Sequence, residues 1–139
     1  MSQRDPRIDL VEKLFAAWSS GNADAPKPYL APDCVLYDIV GGEHRGWATI
    51  RQFFAEGLAL WPDLVLLPDQ YWVNDKGVAV TWVMSATVQH DNDMFGPAAK
   101  GRKWRSEGMS YLEIKDGVVT READYHNEAA IAKSLGLGK

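Results

Sequence analysis

The chain has 139 residues, of which 46% are hydrophobic and 24% are charged, and its formal net charge is −4. This balance is typical of a globular protein, and it excludes a disordered chain, a coiled coil and a low-complexity repeat. We therefore predict one domain over residues 1–139. The mild acidity argues against nucleic acid and anionic membranes as partners, and no apolar run approaches the roughly 18 residues that span a bilayer.

The cysteine content and the N-terminal segment indicate the compartment. Cys34 is the only cysteine, which excludes an internal disulfide and a thiolate metal cluster. The opening segment MSQRDPRIDL lacks the apolar stretch of a signal peptide, so we expect a cytoplasmic protein. Six tryptophans stand out in the composition, but aromatic residues serve cores, interfaces and apolar ligand pockets alike.

The first half of the chain reads mainly as helices. Asp5-Pro6 is a good helix start, apolar residues follow at helical spacing, and Gly21 is a plausible stop. A second, shorter helix is predicted over residues 24–30, and a strand over 34–40. A third helix follows Gly46 and ends at Trp61-Pro62.

The second half reads as long strands. Residues 78–90 alternate between two faces over their whole length, which strongly indicates a strand. Further strands are predicted over 64–73, 103–114 and 118–126, and a short helix over 128–135. Because consecutive strands with short turns run antiparallel, we predict an α+β fold with helices packed on one face of a curved antiparallel sheet.

Three sequence segments, in this order, carry a family resemblance. They are FAAWSSGNAD, LAPDCVLYDIVGGEHRGWATIRQFF and FGPAAKGRKWRSEGMSYLEIKDGVVTREADYHN. Each is degenerate alone, but together they resemble the nuclear transport factor 2-like superfamily over nearly the whole chain. The branch that the chain resembles most contains the SnoaL-like polyketide cyclases and ketosteroid-isomerase-like proteins.

The resemblance implies a cone-shaped fold, in which helices close over a strongly bent sheet and leave a deep apolar pocket. It also implies a small hydrophobic molecule as the ligand and a homodimer formed through the outer sheet face. It does not fix the activity, because the fold hosts isomerases, cyclases, dehydratases, hydrolases and proteins without catalytic function.

Asp38 is the first candidate for catalysis. It lies on the predicted strand at a position that resembles the general base of ketosteroid isomerases. A carboxylate in an apolar pocket is expensive to ionise, so its pKa is expected to be raised. The alternative is a structural role, in which the carboxylate caps the Gly41-Gly42 turn.

Asp124 and His126 are the second candidate pair. Period 2 places both on one face of the last strand. The resemblance matches Asp124 to an acid/base carboxylate, and His126, oriented by that carboxylate, is a candidate proton donor. The alternative is a hydrogen bond that closes the sheet edge onto the C-terminal helix.

Other positions depart from relatives of known chemistry. Leu14 and Ser110 match the two residues that stabilise the enolate in ketosteroid isomerases, so that donor pair is missing. Trp82 and Met84 match an Arg and an Asp of limonene-epoxide-hydrolase-like members. Both of these known activities therefore look lost.

The remaining candidates are expected to contact the ligand. His90 ends an apolar strand face near the pocket mouth, and it has no second histidine nearby, so we expect no metal. The predicted ligand contacts, which include the wall of the pocket, are Leu14, Trp18, Trp72, Trp82, Met84, His90, Trp104 and Ser110.

Two hypotheses follow. The first is a cofactor-independent isomerase, cyclase or dehydratase that abstracts a proton from a small apolar carbonyl compound, with Asp38 as base and Asp124 with His126 as proton donors. The second is a binding module of the same fold, which holds a hydrophobic ligand or supports another protein without chemistry.

Overall fold

The structure is a computed structural model that describes residues 4–89 and 99–136. The helices in this part of the chain are α1 (Pro6–Trp18), α2 (Trp47–Leu60) and α3 (Glu128–Ser134), with a short 3₁₀ turn at Lys27–Tyr29. The strands are β1 (Leu30–Asp38), β2 (Gly42–Arg45), β3 (Val65–Val73), β4 (Gly77–Thr87), β5 (Lys103–Lys115) and β6 (Val118–His126).

The six strands form one curved sheet in the order β2-β1-β6-β5-β4-β3. The predicted α+β class is confirmed, but the sheet is mixed, because β1 and β6 pair in parallel. The argument from short turns holds for the β3–β4 and β5–β6 pairs. It does not cover β4 and β5, which are antiparallel although residues 88–102 separate them, and it does not reach β1, which is far from β6 in the sequence. This parallel pairing places Asp38 directly beside Asp124.

The helices follow the predicted start and stop signals with one exception. Asp5 caps α1 by accepting a hydrogen bond from the backbone N–H of Arg7, and α2 begins after Gly46, whose φ is +80°. The helix predicted over residues 24–30 is wrong, because only a 3₁₀ turn forms there. Pro28 has no N–H to donate, which removes a bond that a longer helix needs.

The core lies between the helices and the inner face of the sheet. Val78, Val80 and Trp82 alternate as predicted along β4, and each is at least 98% buried. They pack with Leu14 and Phe15 of α1, which are completely buried. The apolar faces read from the sequence therefore meet in one layer.

The outer face of the sheet carries several exposed apolar side chains. Trp72 is 52% exposed and pairs with Ala79 on this face, so its predicted place in the pocket wall is wrong. The register shift in β3 between Pro68 and Tyr71 changes which residues point inward, and strict alternation from the sequence does not show it. The predicted dimer contact on this face stays a prediction.

The close approach of β5, β6 and Trp82 gives a stability prediction. A Cβ atom at Gly108 would overlap the Trp82 indole and lie 2.7 Å from the carbonyl oxygen of Tyr125. We expect Gly108→Ala to lower the free energy of unfolding by about 1–3 kcal/mol, because a packed core resists added volume. Urea denaturation measures this change.

Gly57→Ala is the matched control. Gly57 lies inside α2, and a methyl group added there would meet no atom within 4 Å outside the helix backbone. The same methyl group should therefore stabilise the helix by up to about 1 kcal/mol. Equal effects of the two substitutions would contradict the packing described for Gly108.

Candidate active site: a carboxyl cluster in an apolar cavity

A cavity of about 360 Å³ lies between the inner face of the sheet and the helices. Its aromatic wall consists of Trp18, Phe53, Phe54, Trp61 and Trp104. This volume lies within the range of small-molecule sites, which are commonly concave, mostly apolar and provided with a few polar groups.

The polar groups of the cavity come mainly from two neighbouring strands. Asp38 ends β1, and Glu122, Asp124 and His126 alternate along β6, so all three share its inner face. Because Asp38 pairs with Asp124 across the two strands, the four ionisable side chains form one cluster.

Asp38 and His126 form the first half of this cluster. Nε2 of His126 lies 3.2 Å from both carboxylate oxygens of Asp38. The backbone N–H groups of Val40 and Gly41 also donate to Oδ1 of Asp38, at 2.8 and 2.9 Å. Asp38 therefore caps the turn and faces the cavity as well, so the two predicted roles are compatible.

These contacts oppose the effect of burial on Asp38. Burial alone would raise the pKa of Asp38, but the hydrogen bonds from His126, Gly41 and Val40 outweigh it and lower the pKa. The hydrogen bond to Asp38 raises the pKa of His126 against the effect of burial. The expected raised pKa of Asp38 is wrong, because this carboxylate has three donors.

The carboxylate that holds His126 is thus Asp38, and not Asp124 as predicted. Among the described residues, Nδ1 of His126 is buried without a hydrogen-bond partner. A buried polar atom of this kind is costly, and such exceptions call for a specific explanation.

Glu122 and Asp124 form the second half of the cluster. Their carboxyl groups are hydrogen-bonded to each other, and the indole N–H of Trp18 donates to Oε1 of Glu122 at 3.2 Å. Burial and the nearby charge of Asp124 raise the pKa of Glu122 well above its usual range. Burial also raises the pKa of Asp124. Two carboxyls in this setting titrate as a coupled pair, and the pKa of each is shifted in the direction that favours the protonated form.

A chain of hydrogen bonds from two buried side chains holds Asp124 in place. The hydroxyl of Ser110 donates to Oδ1 of Asp124 at 2.6 Å, and the indole N–H of Trp82 donates to the Ser110 oxygen at 2.8 Å. Ser110 and Trp82 are both at least 98% buried. They support the cluster and do not line the cavity, so their predicted ligand contact is wrong.

Some of the other predicted ligand-contact residues line the cavity and others do not. Trp18, Met84 and Trp104 line the cavity, and their contact with a ligand stays a prediction. Leu14 is a completely buried core residue and does not line the cavity. His90 lies outside the described residues.

Glu122 is the member of the carboxyl cluster that the sequence prediction missed. It is 2% exposed, and a glutamate inside a strand normally points to solvent. The signal was the alternation with Asp124 and His126, because the same period places all three on one face.

The chain belongs to the family of SnoaL-like domains, whose profile matches residues 11–122. Asp124 and His126 lie just beyond the matched segment. No curated protein matches the chain. In the part of the chain that the structure describes, none of the helices combines the length and hydropathy needed to cross a bilayer.

Solved structures confirm the fold. A candidate polyketide cyclase from Acidithiobacillus ferrooxidans has a TM-score of 0.84 at 21% identity, with all of each chain covered. One from Xanthomonas campestris pv. campestris has a TM-score of 0.82 at 24% identity, over 96% of this chain and 99% of that one. A protein with a ketosteroid isomerase-like fold from Catenulispora acidiphila, in complex with trimethylamine, has a TM-score of 0.80 at 18% identity, covering 93% of each.

The buried Glu122 carboxyl predicts how stability depends on pH. A pKa raised in the folded state means that the folded protein holds a proton that the unfolded chain releases, so stability falls as pH rises above the unfolded value of about 4.5. Glu122→Gln imitates the protonated form, because it accepts from Trp18 and donates to Asp124. We expect the variant to gain stability relative to wild type as pH increases from 5 to 8 in denaturant titrations.

The control for this experiment is Glu107→Gln. Glu107 is exposed and pairs with Arg105, so its removal should give no comparable change with pH. Parallel curves for wild type and Glu122→Gln would contradict a protonated Glu122.

The Asp38–His126 contact predicts the result of a histidine titration. In Asp38→Asn the carboxylate charge is lost while an oxygen acceptor is kept, so the pKa of His126 should fall. NMR of the histidine ring protons measures it, with the His126 signal assigned through its loss in His126→Gln. Asp24→Asn, which removes an exposed carboxylate paired with Arg51, should leave the titration unchanged. An unchanged pKa of His126 in Asp38→Asn would contradict the described contact between Asp38 and His126.

Proposed function

We propose that this protein is a cofactor-independent enzyme that moves protons on a small, mostly apolar carbonyl compound and so cyclises or isomerises it. The observation that carries this proposal is the cluster itself. One apolar cavity holds a carboxylate, Asp38, and a carboxyl pair with a retained proton, Glu122 and Asp124. Titratable groups whose pKa values are driven apart are the usual basis for acid and base roles in one site.

Asp38 is the proposed base. Its lowered pKa keeps it charged but also makes it a weak base, and each pKa unit of mismatch with the carbon acid costs about 1.4 kcal/mol. A carbon between two carbonyl groups is far more acidic than a carbon beside one. The proposed substrate is therefore a compound with alternating carbonyl groups.

The step for a cyclisation balances without a cofactor. The C–H bond between two carbonyls breaks, the proton goes to Asp38, and the electron pair forms an enolate. The enolate carbon then bonds to the carbon of a further, more distant carbonyl group of the same molecule, and the oxygen of that carbonyl takes a proton from the Glu122–Asp124 pair. Return of the proton from Asp38 restores the site, with His126 next to Asp38 as the proposed relay.

The carboxyl pair also replaces the missing enolate donors. Leu14 has no polar atom, and the Ser110 hydroxyl is used by Asp124. A protonated carboxyl in an apolar site donates a strong hydrogen bond to a developing oxyanion. The names of two similar structures, candidate polyketide cyclases, agree with a substrate of alternating carbonyls.

The alternative is a binding module without chemistry. The hydrogen-bond chain through Ser110 and Trp82 engages one oxygen of Asp124, which favours a structural cluster. The trimethylamine complex of the Catenulispora acidiphila protein shows a small molecule held by a similar fold. In either case we propose a homodimer through the outer sheet face, where Leu67, Trp72 and Tyr125 are exposed.

Hydrogen exchange separates the two functions without knowledge of the natural substrate. The protein is incubated in D₂O with a panel of apolar 1,3-diketones and matched monoketones, and mass spectrometry follows deuterium uptake at carbon. We expect catalysed exchange for the diketones, reduced by roughly 10²-fold or more in Asp38→Asn. Binding with no exchange above buffer would favour the binding module.

Asp69→Asn is the control variant. Asp69 is an exposed carboxylate on β3, so the exchange rate of this variant should equal that of wild type. If the folded Asp38→Asn protein exchanged hydrogen at the wild-type rate, Asp38 would not be the base.

A further inference from the structure

We infer that the cavity selects its ligand by charge, so that it takes uncharged apolar compounds, tolerates a positive charge and excludes carboxylates and phosphates. The inference rests on the proposed function only in treating this cavity as the substrate site. It adds a restriction on the substrate class that neither the fold nor the family supplies.

The described lining of the cavity carries mostly acidic side chains. Five lining side chains in the described part of the chain carry carboxyl groups, namely Asp38, Glu56, Glu122, Asp124 and Glu128. Among the described lining residues, the only basic side chain is His126, and it is committed to Asp38. Nδ1 of His126 can still donate a hydrogen bond, but among the described lining residues an anionic ligand would find no positive charge that a carboxylate does not already balance.

The inner part of the cavity makes an anion expensive. The charges of Asp38 and His126 compensate each other, and the Glu122 and Asp124 carboxyls line the cavity beside the aromatic wall, with no Lys or Arg among the described lining residues. A second buried negative charge without a partner would lose its hydration, and no favourable Coulombic interaction would offset that loss. A neutral carbonyl avoids this cost and can accept the hydrogen bond of the pair.

The mouth of the cavity adds a long-range contribution. Glu56 of α2 and Glu128 at the start of α3 line the cavity and are exposed, so they lie where it meets solvent. We call these two residues the acidic rim. Their field repels an approaching anion over about one Debye length, roughly 8–10 Å at ordinary salt.

The same features of the cavity favour a positively charged ligand. The acidic rim attracts it, and the aromatic wall with Trp18, Trp61 and Trp104 can stabilise a cation over the ring faces. The cavity therefore distinguishes ligands of similar shape by the sign of their charge.

The test uses three probes of similar shape with the full-length protein. These are 2-acetylnaphthalene, which is neutral, 2-naphthoate, which is an anion, and 2-naphthylmethylammonium, which is a cation. Titration at pH 7 and low salt should give at least tenfold weaker binding of the naphthoate than of the ketone. Equal or tighter binding of the naphthoate would overturn the inference.

Rim variants separate the two contributions. In Glu56→Gln/Glu128→Gln the naphthoate should bind more tightly than to wild type at low salt, and added salt should abolish this gain. The control is Glu12→Gln/Glu107→Gln, which makes the same change in net charge at exposed positions outside the cavity and should leave the order of the probes unchanged. An equal gain in the control would assign the effect to net charge and overturn the role of the rim.

The outcomes are distinguishable from failure of the proposed function. If the charge order holds but no carbonyl compound exchanges hydrogen, the inference stands and the catalytic proposal fails. If none of the three probes binds, the cavity is not a ligand site, and both proposals fail.

Discussion

The parallel pairing of β1 with β6 is the constraint on which the site depends. Its register places Asp38 beside Asp124, and the two-residue period of β6 then adds Glu122 and His126 to the same face. Four ionisable groups thus meet on one patch of sheet under an apolar wall. Because these side chains are largely buried, they depend on hydrogen bonds to one another and to neighbouring donors.

The way they do so separates their protonation states. Asp38 accepts from one imidazole and two backbone N–H groups, whereas Glu122 accepts from a single indole N–H. A carboxyl with several donors keeps its charge, and one with few donors in a buried site keeps its proton. Asp124, between them, receives the Ser110 hydroxyl and the Glu122 carboxyl. The differences follow from burial, which is greater for Glu122 than for Asp38, together with the hydrogen-bond donors that each carboxyl has among the described residues.

Much of the fold was predictable because its signals are local. The period-2 pattern of β4, the caps of α1 and α2 and the turn before β4 each depend on a few neighbouring residues. The β1–β6 pairing was not predictable in this way, because it joins strands about 90 residues apart along the chain. Trp72 was misplaced for a related reason, since a register shift inside β3 changes the face of every residue after it.

The site was predictable as a set of residue types and less so as a set of contacts. Asp38, Asp124 and His126 were visible as polar residues on strands that face an apolar layer. Which carboxylate holds His126 depends on strand register, and the state of Glu122 depends on burial. Neither the strand register nor the burial of Glu122 can be predicted from a single segment of the sequence.

The chain of Trp82, Ser110 and Asp124 explains why likeness of fold leaves the chemistry open. Leu14 and Ser110 are completely buried in the inner layer of this protein, and one fold can carry different chemistry on such positions. In this protein they supply packing and a support for Asp124, and the hydrogen-bonding capacity of the cavity moves to Glu122 and Asp124 on β6. A few side chains on one sheet face therefore decide where a proton is held, while the backbone around them stays the same. Function in this fold has to be argued from those side chains and their partners.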